Sequence, residues 1–295
     1  MTSAAGFETL IEATELAGLV ERGSVVVVDC RFSLTDENAG RQAYEEGHIP
    51  GAKYAHLNTD LSSPVTDDTG RHPLPNPNDF AKAIARWGVL AETQVVAYDD
   101  VGGAMAARLW WLLRWIGHRP VAVLNGGLAA WCDFGGKLVS GQDGSDPSAS
   151  AAAYPPAPDV GLTLTTEDLV GTSVGSEMCL VDARDTARYE GVSEPLDTAA
   201  GHVPGAVNLP FMSLLGGDGR FLPAEEIAAR WREVVGQRPM AECAVMCGSG
   251  VTACHLALAT SAAGLGLPRL YAGSWSEWIR DPDRPIESID AAGSR

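Results

Sequence analysis

One cysteine in this chain stands where a sulfur could act as a nucleophile. Cys247 follows the apolar run Cys243-Ala244-Val245-Met246 and opens the stretch Cys247-Gly248-Ser249-Gly250-Val251-Thr252-Ala253, which leads into an Ala/Leu-rich segment ending near Gly264. That pattern predicts a buried strand, a glycine-containing turn and a helix in succession. The N–H groups of the turn and of the first helical turn would converge on the sulfur, with the positive end of the helix facing it. Such surroundings favour a thiolate, whose pKa can fall from ~8.5 to roughly 3.5–7.5. The chemistry to expect is nucleophilic attack by a sulfur already charged at neutral pH. The other cysteines, Cys30, Cys132, Cys179, Cys243 and Cys254, read as core thiols.

The elements that must position Cys247 occur twice. Val25-Val26-Val27-Val28-Asp29-Cys30-Arg31 is matched by Cys179-Leu180-Val181-Asp182-Ala183-Arg184, and Gly47-His48-Ile49-Pro50-Gly51-Ala52 by Gly201-His202-Val203-Pro204-Gly205-Ala206. From Asp to His is 19 residues in the first copy and 20 in the second. Val95-Val96-Ala97-Tyr98-Asp99 corresponds to Cys243-Ala244-Val245-Met246-Cys247, and Gly126-Gly127-Leu128-Ala129-Ala130-Trp131 to Gly273-Ser274-Trp275-Ser276-Glu277-Trp278. Matched segments in the same order imply a duplicated unit. Strands at Val95–Tyr98 and Val121–Leu124 flank a helix at Ala104–Ile116, whose Trp110, Trp111 and Trp115 read as packing. Continuous apolar strands imply burial on both faces, so each unit is expected to be α/β, a mostly parallel sheet flanked by helices. The predicted division is a domain at 1–140, a Gly/Ser/Pro/Asp linker at 141–161 with its Pro-rich end extended along the surface, and a domain at 162–295.

The duplication also sorts the candidates. His48, His202, Asp29 and Asp182 recur in both copies and are better explained by the fold than by catalysis. Asp99 stands where the other copy has Cys247, so the first domain is expected to be catalytically inactive. Lys and Arg total 21 against 38 Asp and Glu, a net charge of −17, which argues against nucleic acid or an anionic membrane as partner. No apolar run approaches the ~20 residues that span a bilayer. The N-terminus lacks the basic start and apolar core of a secretory signal, and scattered cysteines without a CxxC pair fit a reducing cytoplasm. No metal or nucleotide site is indicated.

The tandem Val-Asp-x-Arg and Gly-His-[Ile/Val]-Pro-Gly-Ala blocks, with Gly273-Ser274-Trp275-Ser276-Glu277-Trp278 and the Cys247 loop, resemble the two-domain rhodanese sulfurtransferases over nearly the whole chain. The loop is most similar to that of the 3-mercaptopyruvate branch. The resemblance implies two rhodanese-like domains and a double displacement without a cofactor. Cys247 takes sulfane sulfur from a small donor, holds it as a persulfide against the N–H groups of Gly248, Ser249, Gly250, Val251 and Thr252, and passes it to a thiol, cyanide or a thioredoxin-like acceptor. It further implies an Asp60–His72–Ser249 arrangement that relays a proton, with Asp60 and His72 reaching over from the inert domain, and Arg188 as the ligand of the donor's carboxylate.

Two features bear on the donor. Thiosulfate-using relatives commonly carry basic side chains after the cysteine, where this chain has Gly248 and Ser249. Mercaptopyruvate relatives commonly place a second arginine after Glu-Pro, where this chain has Leu196 in Glu194-Pro195-Leu196-Asp197. Losing one arm of a carboxylate clamp removes about 1.5–3 kcal/mol. Arg184, two residues past Asp182, is expected to hold its own domain together rather than supply that arm. Three readings follow: a mercaptopyruvate sulfurtransferase, a thiosulfate sulfurtransferase, or a non-catalytic persulfide carrier. A phosphatase is disfavoured, because its loop closes with Arg at the sixth residue after Cys and that residue here is Ala253.

Overall fold

Strands β1 (Leu10–Ile11), β2 (Val26–Asp29), β3 (Lys53–Tyr54), β4 (Val95–Tyr98) and β5 (Val121–Leu124) form one sheet, in the order β1-β5-β4-β2-β3. Strands β6 (Thr163–Leu164), β7 (Cys179–Asp182), β8 (Val207–Asn208), β9 (Cys243–Met246) and β10 (Arg269–Tyr271) form the other, in the order β6-β10-β9-β7-β8. Every pairing is parallel, and the two orders are the same order offset by one copy. The computed structural model describes residues 6–141 and 155–289, so most of the expected linker lies outside the described residues.

Contacts divide the chain into two units. One takes residues up to Ser63, Pro75–Asp159 and Gly217–Phe221; the other takes Pro64–Leu74, Val160–Gly216 and the chain from Leu222 onward. A short segment of each half is thus counted with the opposite unit. The two segments correspond in sequence, Gly70-Arg71-His72 against Gly219-Arg220-Phe221.

In the first unit, β4 and β5 are buried along their whole length, as continuous apolar runs require. The helix Ala106–Trp115 has every residue but Arg114 buried, and Trp110, Trp111 and Trp115 are packing residues. It starts two residues later than the sequence pattern suggests, and the N–H groups of Met105 and Ala106, which have no partner within the helix, bond to the Asp99 carboxylate. The described end of the linker lies against this helix: Ala157 and Asp159 donate backbone hydrogen bonds to Ile116 and Trp115 at 3.2 and 2.9 Å.

The second unit repeats the plan. β7 and β9 are fully buried, and the helix after β9, Ala253–Ala262, is buried from Ala253 to Thr260. The duplicated acids and histidines are structural in both units. Arg31 grips Asp29 through Nε and Nη2 at 2.6–3.1 Å, and Arg184 grips Asp182 the same way at 2.7–3.1 Å. His48 stacks on Tyr44 and His202 on Tyr189, each with ring centroids 3.9 Å apart. Of the cysteines expected in the core, Cys30, Cys179, Cys243 and Cys254 are buried. Cys132 is a correction: it is exposed, because the short helix Gly127–Asp133 turns Ala130 and Trp131 inward and carries Cys132 on the opposite side. Among the described residues, no helix is long and apolar enough to cross a membrane.

Candidate active site

β9 ends at Met246 and delivers Cys247 to the start of a loop whose five remaining residues, Gly248 to Thr252, lead into the helix at Ala253. Gly250 has φ of 74°, a left-handed conformation that glycine adopts without strain and that lets the loop fold back close to Ala272. The motif Gly273-Ser274-Trp275-Ser276 braces the loop from the other side. Cys247 N–H donates to Ser274 Oγ at 3.1 Å, Trp275 N–H to the Cys247 carbonyl at 3.0 Å, and Ser276 N–H to the Gly248 carbonyl at 2.9 Å. Ser274 is, among the described residues, the only non-glycine at positive φ, 55°. Such a conformation costs about 1–3 kcal/mol and persists only where the surroundings enforce it. Among the described residues, no protein acceptor is found for the N–H groups of Ser249 and Val251.

The segment Pro64–Leu74 is fastened beside this loop. Arg71 N–H donates to Ser276 Oγ at 3.0 Å, Gly70 N–H to Glu277 Oε2 at 3.2 Å, and Arg280 Nε to the Thr69 carbonyl at 3.1 Å. The result is a hydrogen bond of 2.7 Å between His72 Nδ1 and Ser249 Oγ. Cys247, Ser249 and His72 are 2, 5 and 5% exposed, so all three are buried.

Positive charge is brought to Gly248 rather than carried on it. A Cβ placed on Gly248 would lie 3.0 Å from Arg71 Nη2 and 3.3 Å from Arg188 Nη2, so the absent side chain leaves room for two guanidiniums from elsewhere in the unit. Burial lowers the pKa of Arg71, with Cys247 acting in the opposite direction and Arg188 adding to the fall. Both arginines are held by acids: Arg188 by Glu194 at 2.8 Å and Asp197 at 3.1 Å, and Arg71 by Asp197. Arg184 is buried on Asp182, the Gly201 carbonyl at 2.7 Å and Glu194 at 3.4 Å, and its guanidinium lies over the Trp275 ring at 4.6 Å. Leu196 is 39% exposed.

The corresponding loop of the first unit is occupied by its own side chain. The Asp99 carboxylate accepts from the N–H groups of Val101, Gly103, Met105 and Ala106 at 2.7–2.9 Å. Burial raises its pKa, and these four donors oppose the rise. Where the second unit presents His72, the first has Phe221, whose ring would lie 3.4 Å from a Cβ on Gly103. Asp60 is in the first unit, where its carboxylate accepts from His56 N–H at 2.9 Å and pairs with Arg86 at 3.4 Å.

Of the residues singled out in the sequence, the second unit therefore brings together Cys247, Ser249, His72 and Arg188 with the loop Gly248–Thr252. Arg71, Asp197, Ser274, Ser276 and Glu277 were not singled out. Arg71 was detectable in principle, because it stands beside His72 in a segment that repeats as Gly219-Arg220-Phe221. Burial raises the pKa of Cys30 and Cys179 and pushes Cys243 to about 11, which keeps them as neutral thiols.

The rhodanese-like domain model matches residues 12–134 and again 166–281. A Pseudomonas aeruginosa protein named "Probable 3-mercaptopyruvate sulfurtransferase" is 46% identical over 95% of this chain and 98% of its own. The thiosulfate sulfurtransferase of Gallus gallus is 36% identical over 92% and 93%. Among solved structures, the 3-mercaptopyruvate sulfurtransferase from Leishmania major superposes with a TM-score of 0.82 at 33% identity, covering 93% of this chain and 76% of that one.

Proposed function

Because the chain belongs to the rhodanese family, with both halves matching its domain, we propose that it is a sulfurtransferase that takes sulfur from 3-mercaptopyruvate onto Cys247. The observation that carries this reading is the 2.7 Å bond between His72 and Ser249, on the loop that Cys247 opens. An inorganic donor needs no proton relay, whereas a keto-acid donor leaves as an enolate that must be protonated.

In the first half-reaction the Cys247 thiolate attacks the donor's sulfur. The carbon–sulfur bond breaks, its electrons pass to the leaving enolate, and a proton delivered through Ser249 and His72 converts the enolate to pyruvate. The sulfur stays on Cys247 as a persulfide, against the N–H groups of Gly248, Ser249, Gly250, Val251 and Thr252. In the second, an acceptor thiolate or cyanide attacks the outer sulfur, the S–S bond breaks and Cys247 leaves as a thiolate. No cofactor is needed. A thioredoxin-like protein is one thiol acceptor that fits, and a reducing cytoplasm suits a persulfide carrier among unpaired cysteines. The first unit, with Asp99 in place of a sulfur, is inert. The family resemblance gives Asp60 a part in the relay, which requires Asp60→Asn to lower kcat without raising KM.

Arg188 and Arg71 serve the donor's anionic end. Arg71 beside Arg188 supplies a second guanidinium at Gly248 in place of the arm missing at Leu196, and two guanidiniums also suit an inorganic anion, which makes thiosulfate the second reading. The deciding experiment compares kcat/KM for 3-mercaptopyruvate and thiosulfate with cyanide as acceptor, in wild type and Cys247→Ser. Higher kcat/KM with mercaptopyruvate, lost in Cys247→Ser, is expected. Preference for thiosulfate selects the second reading. A stable Cys247 persulfide with negligible turnover from either donor refutes both and leaves a carrier.

A further inference from the structure

Asp197 makes the contacts that a donor's carboxylate would make. One oxygen pairs with Nη1 of Arg71 and the other lies 3.1 Å from Nη2 of Arg188, with the side chain 5% exposed. A planar carboxylate bridging two guanidiniums is also how a keto acid would be gripped at this place. The charges balance before any donor arrives. Arg184 is engaged with Asp182, so Arg71 and Arg188 face Glu194 and Asp197, two positive charges against two negative. A donor anion entering beside an ionised Cys247 finds no surplus positive charge unless a resident carboxylate gives way.

The two acids are not equally free to do so. Glu194 is fixed from several sides: it accepts from Arg188 Nε at 2.9 and 3.0 Å, from Arg184 at 3.4 Å, and from the N–H groups of Leu196 and Asp197 at 3.0 and 3.2 Å. Among the described residues, the carboxylate of Asp197 is bonded only to the two guanidiniums that face Gly248. Replacing it by a donor's carboxylate exchanges like for like, and its release requires no other bond to break.

We propose that Asp197 is a displaceable internal carboxylate that occupies the Arg71–Arg188 pair until the donor's anionic group replaces it, making residue 197 a determinant of donor affinity. The proposal rests on the sulfur-donor reading above. Donor affinity is then reduced by the fraction of molecules in which Asp197 still holds the pair. The displaced carboxylate also remains close, and it repels a dianion more than a monoanion.

The test measures equilibrium binding of pyruvate and of sulfate, as unreactive monoanionic and dianionic probes, to Cys247→Ser and to Cys247→Ser/Asp197→Asn. Binding is read by calorimetry, so neither measurement needs turnover. Removing the charge should lower the Kd of pyruvate roughly threefold to tenfold, as expected if the released state is a minor one, and lower that of sulfate further. An unchanged or raised pyruvate Kd would overturn the proposal and make Asp197 a brace for the arginines. A smaller gain for sulfate than for pyruvate would overturn the part that concerns charge. Asp197→Ser, which keeps a small polar side chain, is measured in parallel, so that misfolding of one variant leaves the other to decide. Absence of turnover in the wild type is a separate result, which sinks the sulfur-donor reading and leaves the anion measurement standing.

Discussion

The loop after β4 and the loop after β9 leave equivalent strands and are tied back in the same way, Leu128 N–H to the Asp99 carbonyl at 2.9 Å and Trp275 N–H to the Cys247 carbonyl at 3.0 Å. They differ in what the converging N–H groups are given to hold. In the first unit a carboxylate takes four of them, and the segment alongside contributes the apolar Phe221. In the second a cysteine stands at the same place, no protein acceptor is found for Ser249 and Val251 N–H among the described residues, and the segment alongside contributes Arg71 and His72. One loop completes its hydrogen bonding internally and gains stability. The other leaves donors open beside Cys247, the arrangement expected where a preorganised site gives up stability for activity.

The largest expected effect comes from exchanging the nucleophile. Cys247→Ser should lower sulfur transfer by about 10³-fold or more, and adding Asp99→Cys to that variant should restore none, since Phe221 offers no proton and no charge. Turnover in the double variant would break the comparison at its root. Next in size is a contrast in stability. Asp99→Ala strands four N–H donors, two of them buried, and should cost about 3 kcal/mol in denaturant unfolding, whereas Cys247→Ala should cost no more than about 1 kcal/mol. Equal losses would mean that the two loops are balanced alike.

Smaller effects sharpen the contrast. His72→Phe, which copies Phe221 into the second unit, should lower kcat roughly 10²-fold with little change in KM, as befits loss of a proton relay. A fall in affinity without a fall in kcat would move His72 from relay to binding wall. Leu196→Arg should change the KM for mercaptopyruvate by less than about threefold. The side chain is 39% exposed, its backbone N–H is bonded to Glu194, and Arg71 already stands at Gly248. A large drop in KM would show that Arg71 does not replace the missing arm.

Much of this was legible in the sequence where the signal is local. β4 and β5 have the expected bounds because continuous apolar runs flanked by turns admit few alternatives. The duplication predicted correctly that Asp29, Asp182, His48 and His202 serve the fold. The helix start at Ala106 was placed two residues early because the apolar pattern runs back to Ala104 without marking where the loop after Asp99 ends. Arg71 and Asp197 were missed for a different reason. They are 126 residues apart, and their meeting depends on Pro64–Leu74 packing with the second unit. Cys132 was misassigned because a thiol's apolarity says nothing about which side of a short helix it occupies.

Pro64–Leu74 belongs by contact to the unit that carries Cys247 although it is encoded in the opposite half, and Gly217–Phe221 makes the reverse crossing. Severing the chain at the linker would therefore part each fold from a strip that packs with it. The C-terminal piece would keep its sulfur and Ser249 while losing the histidine and one guanidinium beside them, and the N-terminal piece would lose Arg220 and Phe221. Duplication made two folds here, and each carries a strip encoded in the opposite half of the chain.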